Sequence, residues 1–172
     1  MEDIRLACGI SRGGLYHHFA NKRAVLDGLV MQEVSALVVV LENDNASPIS
    51  ALLLAGSSHL NGEPGILSAC HSTAEKLDYL SALEQATSVS LRNPLSAGLV
   101  GAVVEGIRAD HVAELFLTIN GHINRREILG EWTAVESASF AATSLRALRP
   151  LLKSPSDLDQ IIHELDAKAL SE

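Results

Sequence analysis

Aromatic residues are scarce in this 172-residue chain: one Trp, two Tyr and three Phe make up 3% of it. So few rings exclude an aromatic cage, and they leave Leu, Val, Ile and Ala to build the core. Cys8 and Cys70 are the only cysteines, too few for a disulfide framework. No stretch reads as a signal peptide or as a transmembrane span of ~20 apolar residues. A reduced, cytoplasmic setting is the expectation, with Cys8 a small buried side chain. Strand patterns are missing, and so are a phosphate-cradling glycine loop after a strand, a nucleophile elbow and a carboxylate pair. Catalytic residues and cofactors are therefore not expected.

What is present is enough for a packed core, since 47% of residues are apolar. The length allows one or two domains. The net charge of −8 argues at first against a polyanionic partner, but its distribution is uneven. Residues 1–26 hold Arg5, Arg12, Lys22 and Arg23 against Glu2 and Asp3, a balance of +2 that leaves −10 on the remainder. A basic segment on an acidic body fits that asymmetry.

The densest pattern runs from Ile4 to Lys22. Ile4, Ala7 and Cys8 share a helical face, Gly9 offers a left-handed stop, and Ser11 can cap a second helix. In that second helix Leu15 and Phe19 are four apart and turn inward, which leaves Arg12, Gly13, Gly14, His17 and His18 outside and Tyr16 at the margin. Two glycines in succession each cost on the order of 1 kcal/mol relative to Ala, and close approach to another backbone is the expected reason.

These residues carry a resemblance. The run DIRLACGISRGGLYHHF from Asp3 to Phe19, followed by Asn21-Lys22, resembles the DNA-binding signature of the TetR family of bacterial repressors. The resemblance implies an all-α protein with a helix-turn-helix reader, residues 1–26, followed by a helical regulatory, ligand-binding and dimerisation domain, residues 27–172. Residues 2–8 would be the family's second helix and 12–18 its recognition helix. Ser11, Tyr16, His18 and Lys22 would meet phosphates; Arg12, Gly14 and His17 would face base edges or the adjoining backbone. Gly14 replaces the side chain many members carry, so shape or neighbouring residues must discriminate there. The family normally has a further helix ahead of this motif, whereas Met1 stands at the start of the second. A start assigned too far downstream, a natural truncation or a chain that no longer binds DNA would each account for that.

Beyond the reader, Lys22 to about Glu42 has a 3.6-residue apolar period, with Val38 to Leu41 apolar all round and expected to be deeply buried. Asn43-Asp44-Asn45 breaks that helix, and Ser47-Pro48 starts another that runs to Leu60. A short helix over 65–72 and a longer one over 74–92 follow. Pro94 should kink or interrupt a helix whose pattern continues through Leu95, Leu99, Val100, Val103, Val104 and Ile107. Helices over 109–122 and 131–149 come next, with Asn124-Arg125-Arg126 a polar link. Ser154-Pro155-Ser156-Asp157 should cap a last helix carrying Leu158, Ile161, Ile162, Leu165 and Ala169 on one face.

A bent helix beside a core makes room for a small molecule, and Leu53, His59, Leu67, Cys70, His71, Tyr79, Leu83, Val103 and Ile107 are its expected lining. A metal site built from His59, Cys70, His71, His111 and His122 is disfavoured, because no pair has a chelating spacing. By the resemblance, the 109–122 and 131–149 helices form a four-helix bundle with a second copy. Ala134, Ser137, Ala138, Ser139, Ala141, Ala142 and Ser144 would allow the close approach. The expected function is a ligand-responsive homodimeric repressor on palindromic operator DNA, acting away from membranes. The alternative is a truncated helical dimer that binds a ligand or partner but no longer DNA.

Overall fold

The computed structural model describes residues 1–41 and 65–170. The expected helix from Pro48 to Leu60, its flanking breaks, and the lining residues Leu53 and His59 lie outside them. Among the described residues there are eight α-helices: α1 (Glu2–Cys8), α2 (Arg12–His18), α3 (Lys22–Leu41), α4 (Thr73–Ser90), α5 (Arg92–Leu99), α6 (Ala109–Ile128), α7 (Ala134–Leu148) and α8 (Ser156–Ala169). Two 3-10 turns, Ile66–Ala69 and Arg149–Leu151, complete the described secondary structure apart from one isolated bridge. The short helix expected over 65–72 is thus a single tight turn.

The helix ends follow from side-chain chemistry. Ser72 and Glu75 form a reciprocal capping box at the start of α4, and Thr133 and Glu136 do the same for α7. Gly130 has φ 72°, and the amides of Gly130 and Glu131 donate to Glu127 and Arg126 carbonyls at 2.9 and 2.8 Å. That left-handed Schellman stop ends α6. The last helix departs from expectation, since Pro155 occupies its cap position without a side-chain hydrogen bond.

Pro94 acts where its ring geometry requires. It lacks an N–H and collides with the carbonyl four residues earlier, which belongs to Ser90, the last residue of α4. The chain breaks at Leu91, and α5 continues only to Leu99. The helical pattern expected through Val103 and Ile107 does not form. Gly101 and Gly106, at φ 83° and 84°, turn the backbone instead. Between them Val103 bridges Leu152: the Val104 amide donates to Leu151 O at 3.0 Å and the Lys153 amide to Ala102 O at 2.8 Å.

Helix α3 packs on α4 and α5, both of these pack on α6, α6 packs on α7, and α7 packs on α8. Tyr79, Leu91, Leu95, Leu99, Leu145, Leu158, Val30, Val34 and Val112 are each under 2% exposed and belong to one core. As the low aromatic content requires, that core is mostly aliphatic. Arg149 clasps Asp159 through Nε at 2.7 Å and Nη2 at 2.9 Å, and Arg146 pairs with Asp166, tying α7 to α8.

Two further expectations change, and a division that the sequence left open between core and interface is resolved within the chain. Asn124-Arg125-Arg126 is not a link but the penultimate turn of α6, with Asn124 buried. Val39 is 69% exposed, so the all-apolar end of α3 is not deeply buried there. The small residues of α7 divide: Ser137, Ala138, Ala141 and Ala142 are buried within the chain, while Ala134 and Ser139 face outward. Close approach inside the body uses most of that stripe.

Candidate nucleic-acid interface and an adjoining cleft

The reader is built from very short elements. In α1, Glu2 and Asp3 complement the helix N-terminus, and Arg5 pairs with Glu2 at 2.7 Å. Gly9, at φ 65°, ends the helix: its amide donates to Leu6 O and that of Ile10 to Arg5 O, both at 3.2 Å. This is a second Schellman stop. Ser11 then accepts the Gly14 amide on Oγ at 3.1 Å and fixes the start of α2. Helix, left-handed turn and capped helix follow one another as the residue pattern demands.

Leu15 is the buried residue of α2 at 3% exposure, and Phe19 is half-buried behind it. Ser11, Arg12, Gly14, Tyr16, His17, His18 and Lys22 are all exposed. The Arg12 guanidinium lies 5.8 Å from the Tyr16 ring centre, and the His17 and His18 rings meet edge-on at 4.9 Å. Among the described residues, neither Arg12 nor Lys22 is in an ion pair, so both charges are available to an anion. Arg5, engaged by Glu2, is not equivalent to them.

The glycine pair makes no close approach within the described chain. A Cβ at Gly13 would meet nothing within 4 Å, and one at Gly14 would meet only Ser11 Oγ, at 3.2 Å. Neither is forced by a neighbouring backbone of the chain, so α2 presents a smooth outer surface there. The close approach lies elsewhere, at Gly28, where a Cβ would stand 3.0 Å from Phe19 Cε1. This glycine seats the Phe19 ring on α3, a role that an isolated glycine in an apolar helix pattern does not disclose. Cys8 is exposed rather than buried, because α1 contributes no buried side chain and Cys8 is its last residue. Leu6 and Ile10 are also exposed, at 63% and 39%.

At the exit of the reader, Asn21 accepts the Ala24 amide on Oδ1 at 2.9 Å and starts α3. Arg23, in the next turn, spreads its guanidinium over two helices. Nε donates to Asp27 Oδ1 at 2.7 Å, Nη2 to Ser81 Oγ at 3.2 Å, and Nη1 lies 3.6 Å from Asp78 Oδ1. Deeper in the same interface, the Tyr79 hydroxyl donates to Glu33 Oε2 at 3.3 Å. Burial, then the Glu33 carboxylate, pushes the Tyr79 phenol well above its ordinary pKa, so it remains a neutral donor.

A cleft of about 650 Å³ opens between α4 and α6. Leu80, Leu83 and Leu117 supply its apolar surface; Ser81, Glu84, Gln85, Thr118, Asn120, His122, Asn124 and Arg125 are among its polar walls. Its volume falls in the range of small-molecule pockets, but polar residues outnumber apolar ones along its walls. Of the expected lining residues that are among the described ones, Leu83 alone borders it. Tyr79 is fully buried beside Glu33, and Val103 is held in the bridge to Leu152. Leu67 and Cys70 are half-buried against the core, His71 is exposed, and Ile107 is exposed in the loop before α6. Burial, then Glu75, raises the Cys70 thiol pKa and makes it a poor nucleophile.

One end of the cleft, at His122, adjoins a cluster of rings. His122 lies 5.2 Å from Trp132 and 5.4 Å from Phe140, those two are 4.9 Å apart, and the Arg126 guanidinium is 5.5 Å from the Trp132 ring centre. Phe140 is 37% exposed and Leu115, on α6, 44%.

Residues 1–29 match the family model described as bacterial regulatory proteins, tetR family. No curated protein and no solved structure matches the chain. The match covers the helix-turn-helix and the first turns of α3, the segment whose outer face carries Arg12, His17, His18 and Lys22.

Proposed function

We propose that this chain, a transcription regulator of the tetR family by its first 29 residues, is a ligand-responsive repressor that binds palindromic operator DNA as a homodimer in the cytoplasm. The observation that carries the reading is the division of α2. Leu15 points inward, while Arg12, Gly14, Tyr16, His17 and His18, with Ser11 before them and Lys22 after, are all exposed, and Arg12 and Lys22 have no competing ion pairs among the described residues. Seated in a major groove, Arg12 and His17 would reach base edges. Tyr16, His18 and Lys22 would hold phosphates and fix the register. The reader, residues 1–26, would be steered by a body that begins at residue 27.

Two copies are needed to read a palindrome, with half-sites about 34 Å apart. Exposed Leu115 and Phe140, backed by Trp132 and His122, favour the α6–α7 face for that contact. The cleft between α4 and α6 is the effector site in this reading. A ligand there releases DNA only by the difference in its affinity for the two reader spacings. Among the described residues, no helix is long and apolar enough to cross a membrane.

The alternative, a helical dimer that binds a ligand or partner but no longer DNA, is favoured by α1, which buries no side chain and exposes Leu6. One experiment separates the two. The full chain and its His17→Ala variant are titrated onto the DNA upstream of the chain's own gene at fixed salt. The repressor reading expects a retarded complex that His17→Ala weakens. No complex at any protein concentration would leave the alternative standing.

A further inference from the structure

We propose that Arg23 is a positioning residue that couples the α4–α6 cleft to the DNA-reading helix, with Ser81 as the shared element. This rests on the reading of α2 as the DNA reader. Ser81 borders the cleft and also accepts a hydrogen bond from Arg23 Nη2 at 3.2 Å. Arg23 in turn follows directly on Lys22, the phosphate anchor at the start of α3. One hydroxyl therefore separates the effector cavity from the root of the reader.

The geometry makes this tie directional. Asp27, one turn along on α3, takes Nε at 2.7 Å and sets the plane of the guanidinium. With that edge fixed, Nη1 and Nη2 reach across to Asp78 and Ser81 on α4. A lysine offers one point charge in place of this fork and cannot hold both helices at once. Much of the remaining α3–α4 contact is of another kind: Val30 and Val34 are fully buried, and the Tyr79–Glu33 hydrogen bond lies inside the interface. Those groups do not border the cleft.

The strength of the tie also suits a switch. Arg23 and Asp78 are 37% and 67% exposed and 3.6 Å apart, so the pair shifts an equilibrium by about fivefold at most. An occupant that claims the Ser81 hydroxyl or displaces α4 can overcome so weak a tie. The buried part of the interface would meanwhile hold the body together.

The test needs no natural ligand. In the 172-residue chain carrying Cys8→Ser and Cys70→Ala, Thr118→Cys puts a single thiol on the α6 wall of the cleft, and N-ethylmaleimide attached there occupies part of the space. Amide hydrogen exchange is then followed over residues 12–22 and over α4 and α6, with and without Arg23→Ala, Arg23→Lys or Ser81→Ala. Labelling the cleft should speed exchange in residues 12–22 by about two- to fivefold when Arg23 is present. Arg23→Ala and Ser81→Ala should raise the unlabelled rate by a similar factor and remove the response, and Arg23→Lys should not rescue it. A response that persists in both Arg23→Ala and Ser81→Ala, or no response in the Arg23 chain, overturns the coupling. A merely structural Arg23 would disturb α3 and α4 while leaving the response to maleimide intact. Exchange is read without DNA, so failure of the chain to bind DNA refutes the repressor reading and not this result.

Discussion

Replacing Leu15 with Ala tests how the reader is held together. Neither α1 nor the rest of α2 buries another side chain, so this 3%-exposed leucine dominates their packing. The substitution removes three carbons, at about 0.8 kcal/mol each, or about 2.4 kcal/mol in all. Leucine-to-alanine changes in well-packed cores cost roughly 2–5 kcal/mol. The lower end applies because Phe19, one turn on and half-buried, can relax into the space. At about 1.4 kcal/mol per tenfold, the opening equilibrium of the reader should rise about fiftyfold. Hydrogen exchange over residues 2–20 reads this directly, with α4, α6 and α7 as internal controls and the thermal midpoint as a global check. The expected result is faster exchange in the reader, unchanged protection in the body and little change in the midpoint. Unaltered reader exchange would mean Leu15 does not hold these helices. A parallel loss of protection in the body would mean that reader and body open as one unit.

Ser137→Ala should stabilise the chain by on the order of 1 kcal/mol, because Ser137 Oγ is buried with no hydrogen-bond partner among the described residues and alanine removes that desolvation penalty; an unchanged or lower urea midpoint would contradict this. Glu75 is held below the ordinary carboxylate range, chiefly by the backbone amide and side chain of Ser72 and then the His71 amide. Its stabilisation should be complete above about pH 4.3 and fade as pH falls through the lowered folded value. The stability gap between the chain and Glu75→Gln should therefore close on acidification; a gap independent of pH would sink the assignment. Phe140→Asp should disrupt association through the α6–α7 face, seen as a monomer by analytical ultracentrifugation and as altered emission from Trp132, the sole tryptophan. An unchanged dimer would place the contact on another surface.

The reader was legible because its signals are local. A glycine that admits a positive φ, a serine hydroxyl three residues from the amide it caps, and Leu15 four residues before Phe19 act within one or two turns. The helical class and the break ahead of Pro94 were legible for the same reason. The span of α6 was not: Asn124-Arg125-Arg126 reads as a polar link, yet a helix admits Asn124 to the interior when neighbouring helices cover it. The helical pattern after Leu99 also misleads, because apolar spacing records which residues seek burial. It does not record that Gly101 and Gly106 will turn the chain so that Val103 meets Leu152.

By itself, the sequence determined an all-helical chain, the turn geometry of the reader and the residues on the outer face of α2. Each depends on propensities and caps acting over a few residues. Tertiary structure alone decided that Gly28 seats Phe19, that the small residues of α7 serve mainly the interior, and that a cleft lies between α4 and α6. It also decided that Arg23 spans to Asp78 and Ser81, more than fifty residues away. Such contacts depend on how helices distant in sequence come to pack, and no periodicity within a single helix encodes that.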